Sequence, residues 1–87
     1  MPTVWIPALM RDVTHQQESV HVVGQTVREV IEALDAKFPG IQARLCQGDA
    51  IRAGLAVVID GQAARGGLSE AVGAGSEVHF IPAIAGG

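Results

Sequence analysis

Only one segment of this 87-residue chain carries a helical repeat long enough to make more than two turns, and that restricts the folds open to it. Val27, Val30, Ile31, Leu34 and Phe38 recur at the spacing of a single helical face. Thr26-Val27-Arg28-Glu29 has the spacing of a capping box, in which the Thr26 hydroxyl and the Glu29 carboxylate satisfy free backbone donors at a helix start. Pro39-Gly40 ends the helix, and Ile41 and Leu45 supply one further apolar turn. A single helix must therefore serve as the apolar partner of everything else in the chain.

The remaining segments read as strands. Thr3 to Leu9 is a first strand and Glu18 to Val23 a second, separated by the polar stretch Arg11 to Gln17 of hairpin-loop length. Gly48 to Gly54 reads as a loop. Leu55 to Ile59 is the clearest strand, and Asp60-Gly61 after it suits a tight turn because glycine tolerates positive φ. Gln62 to Arg65 makes a short strand, and Leu68 to Val72 a brief helical piece. Glu77 to Ile81 is the last strand, closed by Pro82, which has no backbone donor to offer. The order strand, strand, helix, strand, short strand, strand predicts an α+β fold of the ubiquitin-like β-grasp class, a mixed sheet wrapped around one main helix.

Alternation then assigns the two faces of the sheet. Val4, Ile6, Val20, Val22, Leu55, Val57, Ile59, Val78 and Phe80 pack on the helix, which turns Trp5, His21, Val58, His79 and Ile81 outward. A contiguous outer patch of Trp5, Val58, His79 and Ile81 is a candidate partner-docking face. The alternative is that these are ordinary scattered apolar residues, with Trp5 lying against a loop.

Composition removes several classes of function. An apolar fraction of 48% supports one core in one domain, and 17% charged residues with a net charge of −3 do not predict disorder. With pI near 5.4 and Lys37 as its one lysine, the chain lacks the basic cluster that nucleic-acid binding needs. No apolar run approaches the roughly 20 residues of a membrane helix, and Met1-Pro2-Thr3 lacks a charged leader, so the expected location is cytoplasmic. Cys46 has no second cysteine to pair with, which fits a reducing compartment.

Enzymatic chemistry finds no foothold in these residues. Gly73-Ala74-Gly75 is a fragment of a dinucleotide fingerprint standing before a strand, whereas the fingerprint must open a helix. No Gly-Lys-Ser/Thr sequence offers a P-loop. His15, His21 and His79 are too dispersed for a local zinc spacing, so no metal or bound cofactor is expected. Cys46 has no evident neighbour to lower its pKa and reads as a small half-buried hydrophobe. Glu29, Glu32 and Asp35 form the solvated face of the helix.

The chain's end remains. Ala83, Ile84 and Ala85 lead from Pro82 to Gly86-Gly87, and six residues from Pro82 onward let the last carboxylate stand roughly 20 Å from the strand when extended. Two terminal glycines carry no side chains and can enter a channel too narrow for an ordinary terminus. A β-grasp domain over residues 1–82 followed by a tail over residues 83–87 is the expected organisation. This end, together with Val4-Trp5-Ile6-Pro7, the Leu34 to Gly40 helix end, Leu55 to Asp60, Arg65-Gly66-Gly67-Leu68 and Gly75 to Pro82, resembles the ThiS/MoaD family of ubiquitin-like sulfur carriers, especially its MoaD-like and CysO-like members. The chain departs from many CysO-like members in a shorter connection from Cys46 to Gly54 and in Ala56, where asparagine is frequent.

The resemblance implies that the chain is a protein cosubstrate and not an enzyme. An E1-like enzyme of the MoeB/ThiF type would use ATP to adenylate Gly87, and a sulfur donor would convert the adenylate to a thiocarboxylate. Ala83, Ile84, Ala85, Gly86 and Gly87 would be inserted into the partner's active site. The sulfur would pass to a synthase: a cysteine synthase or molybdopterin synthase large subunit foremost, a thiazole synthase behind them. Two other readings stay open at the level of sequence. One is a ubiquitin-like modifier joined to target lysines through Gly87, and the other is a non-covalent β-grasp interaction module.

Overall fold

A computed structural model describes residues 1–82. Helix α1 spans Val27–Lys37 and helix α2 spans Ile41–Leu45. The strands are β1 (Thr3–Trp5), β2 (Ser19–His21), β3 (Cys46–Gln47), β4 (Ala50–Ile51), β5 (Leu55–Ile59), β6 (Gln62–Ala63) and β7 (Glu77–Pro82). Five of them form one mixed sheet in the order β2-β1-β7-β5-β6, with β1 and β7 parallel and the other neighbours antiparallel. This is the β-grasp arrangement.

Helix α1 begins as its sequence requires. Thr26 Oγ1 accepts from the Glu29 amide at 3.2 Å, and Glu29 Oε1 accepts from the Gln25 amide at 2.8 Å, one residue earlier than the usual reciprocal bond of a capping box. Its apolar face, Val27, Val30, Ile31 and Leu34, is at most 1% exposed and meets Val4, Val20, Val57, Val78 and Phe80 from the sheet and Val22 just beyond β2. The chain runs into this helix so closely that a Cβ on Gly24 would stand 2.8 Å from the Val30 amide nitrogen, a distance only glycine avoids.

Three expectations need correction. The first strand stops at Trp5 and does not run to Leu9. Ile6 still donates to Glu18 at 2.9 Å, but Pro7 has no N–H with which to extend the ladder, and Ala8–Met10 folds into a 3-10 turn. Residues 48–54 are not wholly a loop: β3 and β4 pair as a small antiparallel hairpin, Cys46 opposite Ile51 and Gln47 opposite Ala50, around Gly48-Asp49 with Gly48 at φ +63°. Pro82 does not lie beyond β7 but is its last residue, opposite Leu55.

The Asp60-Gly61 turn is fastened to the start of β7. Both residues have positive φ, +51° and +83°, which matches a tight hairpin between β5 and β6. Asp60 Oδ1 accepts from the Glu77 amide at 2.9 Å and Oδ2 accepts from the Ser76 hydroxyl at 2.7 Å. These two donors hold the Asp60 carboxyl below its ordinary 3.8, the backbone bond contributing most. A carboxyl depressed in the folded state stabilises the fold above its unfolded pKa, and that contribution disappears as pH falls through the lower folded value. Asp60→Ala is therefore expected to lower the thermal midpoint at pH 7, while the gap between variant and parent narrows as pH falls below about 4. Melting curves of both proteins from pH 7 to pH 2 check this, and a gap independent of pH contradicts it.

Candidate functional site

The outer face of the sheet is ordered by the central parallel pair. Trp5 stands opposite His79 across β1 and β7, and His79 stands opposite Val58 across β7 and β5. Ile81 follows two residues after His79, so it shares this face and lies opposite Ala56. Trp5 and His79 stack at a centroid separation of 5.6 Å with their planes 8° apart. Trp5 Nε1 donates to Glu77 Oε1 at 2.8 Å, so the indole is held by one strand neighbour and covered by the next. Trp5 is 37% exposed and Ile81 40%, whereas Val58 and His79 are half-buried. The four residues of the candidate patch therefore do share one face. His21 is also exposed, one strand further out opposite Thr3.

This face runs into an apolar cleft of about 500 Å³ at the end of β7, bounded by Trp5, Leu9, Leu55, Ile81 and Pro82. Leu9 is a residue that sequence reasoning misplaced. It was expected within the first strand, but the 3-10 turn leaves it 83% exposed on the rim of the cleft. Pro7, two residues before it, was the available signal. Glu77 is a second omission; the Glu77-Val78-His79 spacing, which puts both polar side chains on the face of Trp5, was the clue. The tail residues Ala83, Ile84, Ala85, Gly86 and Gly87 lie outside the described residues.

Away from this face, Cys46 follows α2 and is buried. Burial pushes its thiol above the ordinary value of 9.0, with the positive charges of Arg28 and Arg52 opposing that rise only in part. Arg52 is directed elsewhere: its Nη2 donates to the Ala43 carbonyl at 2.8 Å and contacts the Cys46 carbonyl at 3.4 Å. Among the described residues, no group of three His, Cys, Asp or Glu side chains is placed to hold a metal ion, and no helix is long and apolar enough to cross a membrane.

A mixed five-stranded sheet grasping one helix, with the C-terminal strand in its centre, defines the class: a ubiquitin-like β-grasp protein. The profile of the ThiS family matches residues 4–87, and the chain belongs to that family. It is 34% identical to the sulfur carrier protein CysO of Mycobacterium tuberculosis over 90 residues, covering 98% of this chain and 97% of that relative. A chain in the crystal structure of the Amycolatopsis orientalis BexX/CysO complex superposes with a TM-score of 0.92 at 34% identity over the whole of both chains. The small archaeal modifier protein 1 of Haloferax volcanii superposes with a TM-score of 0.74 at 27% identity, over 95% of this chain and 97% of that one.

A buried thiol with a raised pKa is a poor nucleophile, since the thiolate is the reactive form. Native protein is thus expected to react with a thiol-directed alkylating reagent at neutral pH much more slowly than the same protein in denaturant. Timed labelling followed by intact-mass measurement checks this; equal rates would show that Cys46 is accessible.

Proposed function

We propose that this chain is a sulfur carrier, a protein cosubstrate that is activated and emptied by other enzymes. Membership of the ThiS family through residue 87, together with similarity along nearly its whole length to carriers named CysO, supports the reading. The chemistry follows from the terminal carboxyl group. A carboxylate is a poor electrophile because a nucleophile must add to a group that is already anionic. An E1-like enzyme of the MoeB/ThiF type removes that obstacle: a Gly87 carboxylate oxygen attacks the α-phosphorus of ATP, pyrophosphate leaves, and an acyl-adenylate forms. Sulfide released by a sulfur donor then attacks the acyl carbon, AMP leaves, and the thiocarboxylate forms. Ala83 to Gly86 form the slender segment that carries Gly87 into the partner's active site. Because the relatives are CysO carriers, cysteine synthesis is the foremost destination for the sulfur, with a cysteine synthase as acceptor; a molybdopterin synthase large subunit and a thiazole synthase are the alternatives. ATP belongs to the activating enzyme and not to the carrier, and the setting is the cytoplasm.

Incubation with an E1-like enzyme, ATP and a sulfur donor should add to the intact chain the mass of one oxygen-for-sulfur exchange, localised to the last peptide. Cys46→Ser should remain fully competent. A mass change on Cys46, or none at Gly87, would sink the proposal. The likeness to an archaeal modifier protein supports a second reading, in which the activated Gly87 is joined to lysines of target proteins. Tryptic peptides that carry residues 66–87 on a target lysine, since Arg65 is the last site for trypsin in this chain, distinguish it from sulfur transfer alone when a cell extract is treated with the activated protein.

The outer sheet face is the surface that docks these partners on this reading. Trp5, Val58, His79 and Ile81 present one contiguous area beside the root of the tail. Trp5→Ala should weaken binding to the activating enzyme by about 2 kcal/mol or more, the size of an interface hot spot, while leaving most of the stability intact because the indole is already partly exposed. Affinity and melting measured on the same preparation separate docking from packing. A large loss of stability with unchanged affinity argues against the face.

A further inference from the structure

We propose that Leu9 is a contact residue for the enzyme that takes up the C-terminal segment, and that Arg44, on the helix behind it, is the residue that positions Leu9; this rests on the sulfur-carrier reading above. Leucine at 83% exposure is unusual only if the backbone that presents it is rigid, and here it is held from several sides. Met10, the next residue, is buried in the core. Arg44 Nη2 donates to the Leu9 carbonyl at 2.8 Å, and its Nη1 stands 3.5 Å from Asp12 Oδ2, so one guanidinium clasps both ends of the turn to α2. Thr14, wholly buried, donates its hydroxyl to the Gln17 carbonyl at 2.9 Å and closes the far side of the loop. The His15 ring lies 6.1 Å from that of Phe38. A side chain displayed by an already ordered loop gives up little conformational freedom when a partner covers it, so most of its burial is available to binding.

Position identifies the occupant. Leu9 and Pro82 bound the same apolar cleft, and Pro82 is the residue from which 83–87 continue. Five residues span at most about 18 Å. An enzyme that draws Gly87 into its active site must therefore bring its own surface within that distance of Pro82, a radius that takes in the cleft and Leu9, which lines it together with Pro82. The cleft's apolar walls, Trp5, Leu55 and Ile81, call for an apolar surface on that enzyme. Arg44 itself stands outside the cleft and acts through the turn.

The test uses the full chain as cosubstrate of the E1-like enzyme, following ATP–pyrophosphate exchange for the parent, Leu9→Ala, Arg44→Ala, Arg44→Lys and the double variant Leu9→Ala/Arg44→Ala, with a thermal midpoint for each. Leu9→Ala should raise the KM for the carrier about tenfold with kcat within about twofold and the midpoint unchanged, because an exposed leucine contributes to docking and not to the fold. Arg44→Ala should raise KM less, by about threefold, and Arg44→Lys should recover only part of it, since a single ammonium cannot clasp the carbonyl and the carboxylate with a planar fork. The double variant should be no worse than Leu9→Ala alone, as befits a residue that acts through another. An unchanged KM for Leu9→Ala overturns the contact. Multiplying effects in the double variant overturn the positioning role. A parent chain that supports no exchange at all overturns the underlying carrier reading, an outcome distinct from either.

Discussion

The parallel pairing of β1 with β7 is the interaction on which the rest of the molecule depends. It joins residues more than seventy positions apart, Thr3 with Glu77, Val4 with Val78 and Trp5 with His79, and no local turn helps to close that loop. What stabilises it is the apolar layer beneath. Val4 and Val78 are both fully buried, and both meet a helix face whose four apolar residues are themselves buried. Register follows from this burial, because a slip of one residue in either strand would turn its own valine, Val4 or Val78, to solvent and its own ring, Trp5 or His79, into the core. The same pairing brings the chain's first strand beside its last, so the 3-10 turn after β1 flanks the place where residues 83–87 begin.

How much of this was legible in sequence depended on whether the determinant was local. The start of α1 was legible because the capping residues Thr26 and Glu29 lie three apart and act on each other's backbone neighbourhood. The two sheet faces were legible as well, since alternation needs no knowledge of partners. The β3–β4 hairpin was not: two-residue strands around Gly48-Asp49 have the composition of a loop, and only pairing across Cys46 and Ile51 makes them strands. The first strand was read four residues too long because Thr3 to Leu9 has strand-like composition throughout, while Pro7 and the pull of Met10 into the core decide where the ladder ends.

The outer face illustrates the same division. Its membership, Trp5, Val58, His79 and Ile81, could be listed from periodicity alone. Its internal order could not. That Trp5 stacks on His79 and donates to Glu77 is a consequence of the β1–β7 register, which is a tertiary fact. The indole is consequently neither a loose surface residue nor a core one: its polar atom is satisfied within the sheet while a part of its ring remains open, the arrangement that favours tryptophan at interfaces. Leu9 differs in kind: Pro7 signals that the strand ends before it, but not that its side chain faces outward, because the turn that ejects it is secured by Arg44 from 35 residues away.

These observations separate the groups that maintain the fold from those left for chemistry. Asp60 is engaged by Ser76 and Glu77, Arg52 by carbonyls at the end of α2, and Cys46 is buried with its thiol held in the protonated form. Each potentially reactive side chain just named is thus occupied in structure or withdrawn from solvent. The proposed reactive group, the Gly87 carboxylate, needs no activation from these residues, because on that reading an activating enzyme would supply the nucleotide and the leaving group, and a separate donor the sulfur. What such a protein must itself provide is recognition and delivery: a rigid surface that the enzyme can find, and a narrow terminus that it can admit. The second depends on glycine having no side chain. The first depends on strand register, because β7 both carries His79 and Ile81 on the outer face and ends at Pro82, where the delivered segment starts. A change that shifted β7 would displace the proposed docking surface and the point where residues 83–87 begin together, which would tie recognition, on the carrier reading, to the same burial that holds the sheet.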